Sequence, residues 1–263
     1  MKITQQYIII TGAASGIGKE TLQLLAHYDC YIIATDIKKE LLEKTVLELG
    51  YTEAKIDIFA ADVSIPEEID KLFEYALAKF PQIDIFIANA GFAYYERLIQ
   101  ADWQHIEKIF ALNVFSPIYS LLKMKQTCQG RKYYVCITAS AMAKMGLAGY
   151  ALYGSTKAAL DRFADAYQFE KEDKGILGLV YPIATKTNFF SRAGNAPIFF
   201  PSQEPQKVAK AIVKGILREK RHIYPSSLFV FSYLLGFLQN LLNRPYQKYA
   251  QKVFRKYILR NID

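Results

Sequence analysis

Two hydrophobic periods alternate along the first two thirds of the chain. Runs that are apolar almost throughout predict strands: "YIIIT" (Tyr7 to Thr11), "YIIATD" (Tyr31 to Asp36), "KIDIFAAD" (Lys55 to Asp62), "IDIFIANAG" (Ile83 to Gly91), "YYVCITAS" (Tyr133 to Ser140) and "ILGLVYP" (Ile176 to Pro182). Between them "IGKETLQLLAHY", "KKELLEKTVLEL", "PEEIDKLFEYALAKF", one long segment from Asp102 to about Cys128 and the stretch around Tyr153 predict amphipathic helices. Apolar strands separated by helices predict a parallel sheet covered on both faces. The expected class is therefore α/β, a doubly wound parallel sheet. No linker or repeat divides residues 1–224, so they are read as one domain; residues 225–263 are read as a C-terminal helical appendage.

That appendage changes the pattern. "SSLFVFSYLLGFLQNLL" (Ser226 to Leu242) is nearly all apolar, yet shorter than the roughly 20 residues a bilayer-spanning helix needs. In the following segment Lys248, Lys252, Arg255, Lys256 and Arg260 alternate with Tyr249, Val253, Phe254, Tyr257 and Ile258. Two readings stand open: attachment to an anionic membrane surface, or a lid or intersubunit helix that buries the apolar side chains.

Composition sharpens these expectations. With 263 residues, 52% of them hydrophobic, the chain can bury a sizeable core. Its net charge of +8 is uneven: from Lys207 onward 12 Lys/Arg face two acids, whereas the preceding residues carry 21 Lys/Arg and 23 acids. An electrostatic partner is expected at the C-terminal part. Aromatics among basic residues without a recognised binding module do not argue for nucleic acid. Cys30, Cys128 and Cys136 lack CxxC spacing, and His27, His105 and His222 are scattered, so neither disulfides nor a metal is expected. The apolar run near the N-terminus is too short for a signal-peptide core, and the expected location is cytoplasmic, peripheral to a membrane if the tail attaches.

"TGAASGIG" (Thr11 to Gly18) follows the first strand and opens the first helix, where glycines let backbone N–H groups approach a pyrophosphate at the positive helix end. Asp36 closes the second strand, where a carboxylate can accept from ribose hydroxyls and repel a 2′-phosphate, favouring NAD over NADP; it is also placed to cap the next helix. Tyr153 and Lys157 in "LYGSTKAAL" stand four apart on one helix face.

In this order the motifs resemble the short-chain dehydrogenase/reductase family: "TGAASGIG", Asp62 in "ADVS", "NAG" (Asn89 to Gly91), Asn113 in "LNV", Ser140 in "ITAS", Tyr153 with Lys157, and Thr187 after "YP". The resemblance spans Tyr7 to about Tyr224 and implies a Rossmann-like sheet and an NAD(P)-dependent oxidoreductase. It implies pyrophosphate binding at Gly12, Ser15, Gly16, Ile17 and Gly18, and adenine contacts at Asp62 and Val63. Asn89, Ala90 and Gly91 would form a floor under the cofactor, while Pro182, Thr185 and Thr187 would lie near nicotinamide. Asn113, Ser140, Tyr153 and Lys157 would be the catalytic set: Ser140 holds the substrate oxygen, Tyr153 exchanges its proton, Lys157 binds ribose and tunes the phenol, and Asn113 holds a water leading to Lys157. One departure is Ile183 after Pro182, where the family commonly has glycine.

A phenol with a pKa near 10 is a poor base at neutral pH. An ammonium about 4 Å away at an effective dielectric of about 20 favours the phenolate by on the order of 4 kcal/mol, which would lower that pKa by about two or three. The expected activity is interconversion of a secondary alcohol and a ketone. Phe189, Phe190, Ile198, Phe199 and Phe200, in a glycine- and proline-broken segment before Gln206, suggest a lipid-, sterol- or acyl-like substrate. The rival enzyme is an NADPH-dependent 3-oxoacyl-carrier-protein reductase, and the rival outside enzymology is a silent nucleotide sensor or membrane scaffold. Assembly as a homo-oligomer is expected.

Overall fold

A computed structural model describes residues 1–234, 245–246 and 248–257. The chain runs through β1 (Tyr7–Thr11), α1 (Gly16–Leu25), β2 (Tyr31–Asp36), α2 (Lys39–Glu48), β3 (Lys55–Ala60), α3 (Pro66–Lys79) and β4 (Ile85–Ala88). It continues through α4 (Trp103–Phe110), α5 (Ser116–Thr127), β5 (Tyr134–Thr138), α6 (Ala151–Glu170), β6 (Ile176–Val180) and β7 (Ala184–Thr185). α7 (Phe189–Arg192), β8 (Ser202–Gln203), α8 (Pro205–Leu217), β9 (His222–Ile223) and α9 (Ser227–Leu234) complete the named elements. The tail is helical again at 248–257.

Seven strands form one parallel sheet in the order β3-β2-β1-β4-β5-β6-β9. This is the doubly wound arrangement the apolar strands predict. Side chains alternate across a strand, and the alternation sorts the core into two layers. Ile9, Ile33, Phe86, Val135 and Leu179 face α3, α5 and α6. Ile8, Ile10, Ile32, Ile85 and Ile87 face α1 and α8. The five isoleucines of β1 and β2 in these sets are fully buried, each worth about 1.5–3 kcal/mol of transfer free energy.

The long helix expected from Asp102 is interrupted. Asp102 does cap it, accepting from the His105 N–H at 3.0 Å. Between α4 and α5 lies one π turn, Ala111–Phe115, which inserts an extra residue and rotates Asn113 inward. Such bulges are frequent where a helix serves a site.

The strand order reverses between β1 and β4. There the carboxyl ends of adjacent strands lead to opposite sides of the sheet and leave a crevice. Thr11, Asp36, Asn89, Ser140 and Pro182 all stand at or just beyond strand carboxyl ends, so topology alone brings five distant motifs to one edge.

Candidate active site

The crevice is a cleft of about 310 Å³ lined by Gly12, Ser15, Gly16, Ile17, Asp36, Asp62, Val63, Asn89, Ala90 and Gly91 on one side, and by Ser140, Tyr153, Lys157, Pro182, Thr185 and Thr187 on the other. Of the residues singled out in the sequence, Gly18 and Asn113 stand behind this lining.

The cleft suits a dinucleotide. Ser15 precedes α1 without a side-chain cap, and no acid occupies the first turn, so the positive helix end is open to an anion. Gly12 adopts φ +66°, and a Cβ there would lie 2.9 Å from the Ala90 Cα. At Gly18 a Cβ would overlap the Gly12 carbonyl oxygen. That glycine is thus required by the crossing of β1 and α1 rather than by direct contact. Thr187 reaches over the turn: a Cβ on Gly16 would meet its Cγ2 at 3.2 Å.

Asp36 is not the cap of α2, which starts after Lys38 without a side-chain cap. Its carboxylate instead accepts from the Ala14 N–H (3.1 Å) and the Lys38 N–H (3.0 Å), pinning β2 to the glycine turn at the cleft edge. Asp62 accepts from the backbone and hydroxyl of Ser64 at 2.9 and 2.6 Å. Asn89 both lines the cleft and ties strands: its amide donates to the Thr11 and Gly12 carbonyls, each at 3.3 Å, and accepts from the Thr138 hydroxyl at 3.2 Å. Thr11, which sequence reasoning passed over, receives the N–H groups of Asn89 and Ala90 on its hydroxyl, both at 3.2 Å. Ile183 avoids the left-handed region that would demand glycine; the Pro182 carbonyl accepts from Ala141 N–H at 2.8 Å.

The catalytic candidates converge. Asn113, 1% exposed, accepts from Phe92 N–H at 3.1 Å and donates to the Phe92 carbonyl (2.8 Å) and the Thr156 hydroxyl (3.2 Å). A Cβ on Gly91 would meet Asn113 Oδ1 at 3.1 Å and Lys157 Nζ at 3.7 Å, so this glycine keeps the gap between them clear. Ser140 accepts from Met142 N–H at 3.1 Å and caps a short turn, Ala141–Ala143. Lys157 donates to the Thr138 carbonyl at 2.8 Å, and its Nζ lies 5.6 Å from the centre of the Tyr153 ring. Helical spacing puts the two on one face, as expected.

Their protonation differs from the sequence-based expectation. Burial pushes the Tyr153 phenol up to about 12, opposed by a hydrogen bond with Ser140, and pushes the Lys157 amine down to about 7. The ammonium was expected to dominate at about 4 Å. Here the amine is spent on the Thr138 carbonyl and is itself destabilised as a cation by burial.

Asp161, one turn beyond Lys157 and 1% exposed, was also missed in the sequence. It accepts from Lys144 Nζ (2.7 Å) and Tyr181 OH (2.8 Å), fastening the Ser140 turn and the end of β6 to α6. A lone acid in "AALDRF" gives no signal for that role.

A second cavity of about 570 Å³ adjoins the cleft. Ser140, Met142, Pro182, Ile183, Ala184 and Phe190 line both. Its farther wall is apolar: Met145, Leu147, Phe199, Leu228, Phe229, Tyr246 and Tyr249. Of the phenylalanines in the broken segment, Phe190 and Phe199 are buried in this wall and Phe189 packs edge-on to Tyr153 at 5.5 Å, whereas Phe200 is exposed. The tail forms part of this wall. Tyr246 OH donates to the Phe200 carbonyl at 3.1 Å, Ala250 is fully buried, and Phe254 and Tyr257 pack on Tyr95 at 5.4 and 4.8 Å. The part of the appendage from 235 to 244 lies outside the described residues. Among the described residues no helix is long and apolar enough to cross a membrane.

The family model for short chain dehydrogenase matches residues 6–196. Mouse 17-beta-hydroxysteroid dehydrogenase 13 is 26% identical over 89% of this chain and 78% of its own length. Human epidermal retinol dehydrogenase 2 is 28% identical over 90% and 79%. In fold, the chain is similar to a short-chain dehydrogenase from Sphingobium yanoikuyae solved with NADPH, with a TM-score of 0.77, 23% identity, and coverage of 90% of this chain and 95% of that one.

Proposed function

The chain belongs to the short-chain dehydrogenases, NAD(P)-dependent oxidoreductases acting on CH–OH groups, and from that premise we propose that it interconverts a secondary alcohol and a ketone on a bulky apolar substrate, with Tyr153 exchanging the proton and NAD preferred. What carries this reading is the convergence of Ser140, Tyr153 and Lys157 in a cleft that shares Ser140, Met142 and Pro182 with the apolar cavity.

The cleft at Gly12, Ser15, Gly16 and Ile17 and from Asn89 to Gly91 would hold a nicotinamide dinucleotide, whose chemistry would be to supply or accept the hydride. The side chains handle the proton. Ser140 holds the reacting oxygen against the phenol, and orientation of this kind removes much of the entropic cost of reaction. Tyr153 passes its proton to that oxygen in reduction and takes one in oxidation. Lys157, fixed by the Thr138 carbonyl, sets the local charge. Asn113 braces the loop bearing Phe92 and so holds Gly91 beside the amine.

An apolar substrate is favoured by the methionine, leucine and phenylalanine wall and by relatives whose names specify hydroxysteroid and retinol. NAD is favoured by the Asp36 carboxylate at the cleft edge, while Lys39 turns away toward Glu43 at 3.8 Å. Tyr153→Phe is expected to lower kcat by about 10²–10⁴-fold on a panel of hydrophobic ketones while NADH binding, followed by fluorescence titration, stays unchanged. Near-normal turnover in that variant would overturn the assignment.

A further inference from the structure

The apolar cavity has a mouth, and its position is marked by residues that both line the cavity and meet solvent. Leu228 is 56% exposed and Tyr249 50% exposed, and Pro245 beside them is exposed as well. The apolar surface extends outward from this rim. Phe231, 64% exposed, is one helical turn from Leu228 on α9, and Phe200, 79% exposed, is joined through its carbonyl to Tyr246. Free large apolar side chains gathered at one opening are costly to leave in water.

The charge beside this mouth has one sign. Lys248, Lys252, Arg255 and Lys256 are exposed on the helix at 248–257, whose opposite side carries Ala250, Val253, Phe254 and Tyr257 against the body. Positions 248, 252 and 255 form one stripe, and 249, 252 and 256 a second, so the basic face begins at Tyr249 on the rim. The sequence holds no Asp or Glu from Ser226 to Asn261, and among the described residues none of these four cations is paired with a carboxylate.

We propose that this face docks on an anionic lipid bilayer, with the cavity mouth against the membrane, so that a bilayer-dissolved substrate enters the active site without crossing water. Apolar side chains seat among acyl chains while flanking cations meet lipid phosphates, the two attractions that hold a peripheral amphipathic helix at an interface. A basic apolar face without acids complements an anionic lipid surface; a second copy of the same face would set like charges against each other. The delivery of substrate rests on the apolar-substrate reading above; the docking does not.

The test measures the full chain by co-sedimentation with phosphatidylcholine vesicles, with and without phosphatidylserine, at low and high salt. Three proteins are compared: the parent, the quadruple variant K248Q/K252Q/R255Q/K256Q, and Phe231→Ser. The parent is expected to pellet with the serine-lipid vesicles and to be released by salt. The quadruple change is expected to weaken partitioning about a hundredfold or more, and Phe231→Ser to weaken it at both salt concentrations. Turnover of a short water-soluble ketone should stay at the parent level in both variants. Equal partitioning of parent and quadruple variant overturns the proposal, as does indifference to Phe231→Ser. A shift from dimer to monomer in Phe231→Ser by sedimentation velocity, without a change in vesicle binding, assigns the face to self-association instead. Because partitioning is read without turnover, a parent that binds vesicles but turns over neither the short ketone nor the hydrophobic panel refutes the substrate reading alone.

Discussion

Replacing Lys157 with methionine keeps the length of the side chain and discards its amine. Burial holds that amine at about 7, against 10.5 for an ordinary lysine. At about 1.36 kcal/mol per pH unit, folding disfavours the ammonium by about 5 kcal/mol. Between the two values the unfolded chain binds a proton here that the folded chain lacks, so this group's contribution to stability rises with pH; the penalty is complete below about pH 7 and gone above about pH 10.5. About 4 kcal/mol of it acts at pH 7 and about 2 kcal/mol at pH 9. Methionine escapes the penalty but forfeits the 2.8 Å hydrogen bond to the Thr138 carbonyl, a loss of about 1–2 kcal/mol. Lys157→Met is therefore expected to be more stable than the parent by about 2–3 kcal/mol at pH 7, equal to it near pH 9, and weaker above that, while losing turnover. Urea unfolding followed by circular dichroism between about pH 6.5 and 10 reads the difference, with other titrations cancelling between the two proteins. A variant less stable than the parent at pH 7, or a gap indifferent to pH, refutes the reasoning.

Gly18→Ala is expected to destabilise the fold by about 1–3 kcal/mol and to abolish NADH binding, because its Cβ would strike the Gly12 carbonyl oxygen and lie 2.6 Å from the Asn89 amide nitrogen; a parental melting temperature with intact NADH affinity refutes this. Asp36→Ser removes the carboxylate that would repel a 2′-phosphate, and the ratio of kcat/KM with NADPH to that with NADH is expected to rise at least about tenfold. An unchanged ratio places cofactor choice elsewhere.

The strands were legible because parallel strands buried on both faces must be apolar at consecutive positions, and "YIIIT" or "ILGLVYP" leaves few other readings. Most cleft residues were legible because they sit beside strand ends, where short motifs report local backbone needs, and Tyr153 and Lys157 because their spacing shares a helix face. Other features depend on parts of the chain far apart in sequence. The π turn at Ala111–Phe115 shifts the helical phase by one residue without any sequence mark. Asp36 looked like a helix cap because its neighbour in space, Ala14, is 22 positions away. In the tail, the stripe Tyr246, Ala250, Val253, Phe254 and Tyr257 has helical spacing, so its buried face could be read. What it faces could not, since the cavity wall also draws on Met145, Phe199 and Leu228.

The spacing of Tyr153 and Lys157 fixes their proximity, but burial decides where the proton rests. With one group at about 12 and the other at about 7, moving the proton from phenol to amine costs about 7 kcal/mol before their attraction is counted. Even at a separation of about 4 Å, unit charges at an effective dielectric of about 20 return only about 4 kcal/mol. The neutral pair therefore wins by about 3 kcal/mol at that separation. Both states carry the same net charge, so the choice turns on local solvation rather than on the field of the protein as a whole. The resting phenol keeps its proton beside Ser140, poised to give it to a carbonyl oxygen. Taking a proton from an alcohol requires further positive charge brought against the ring.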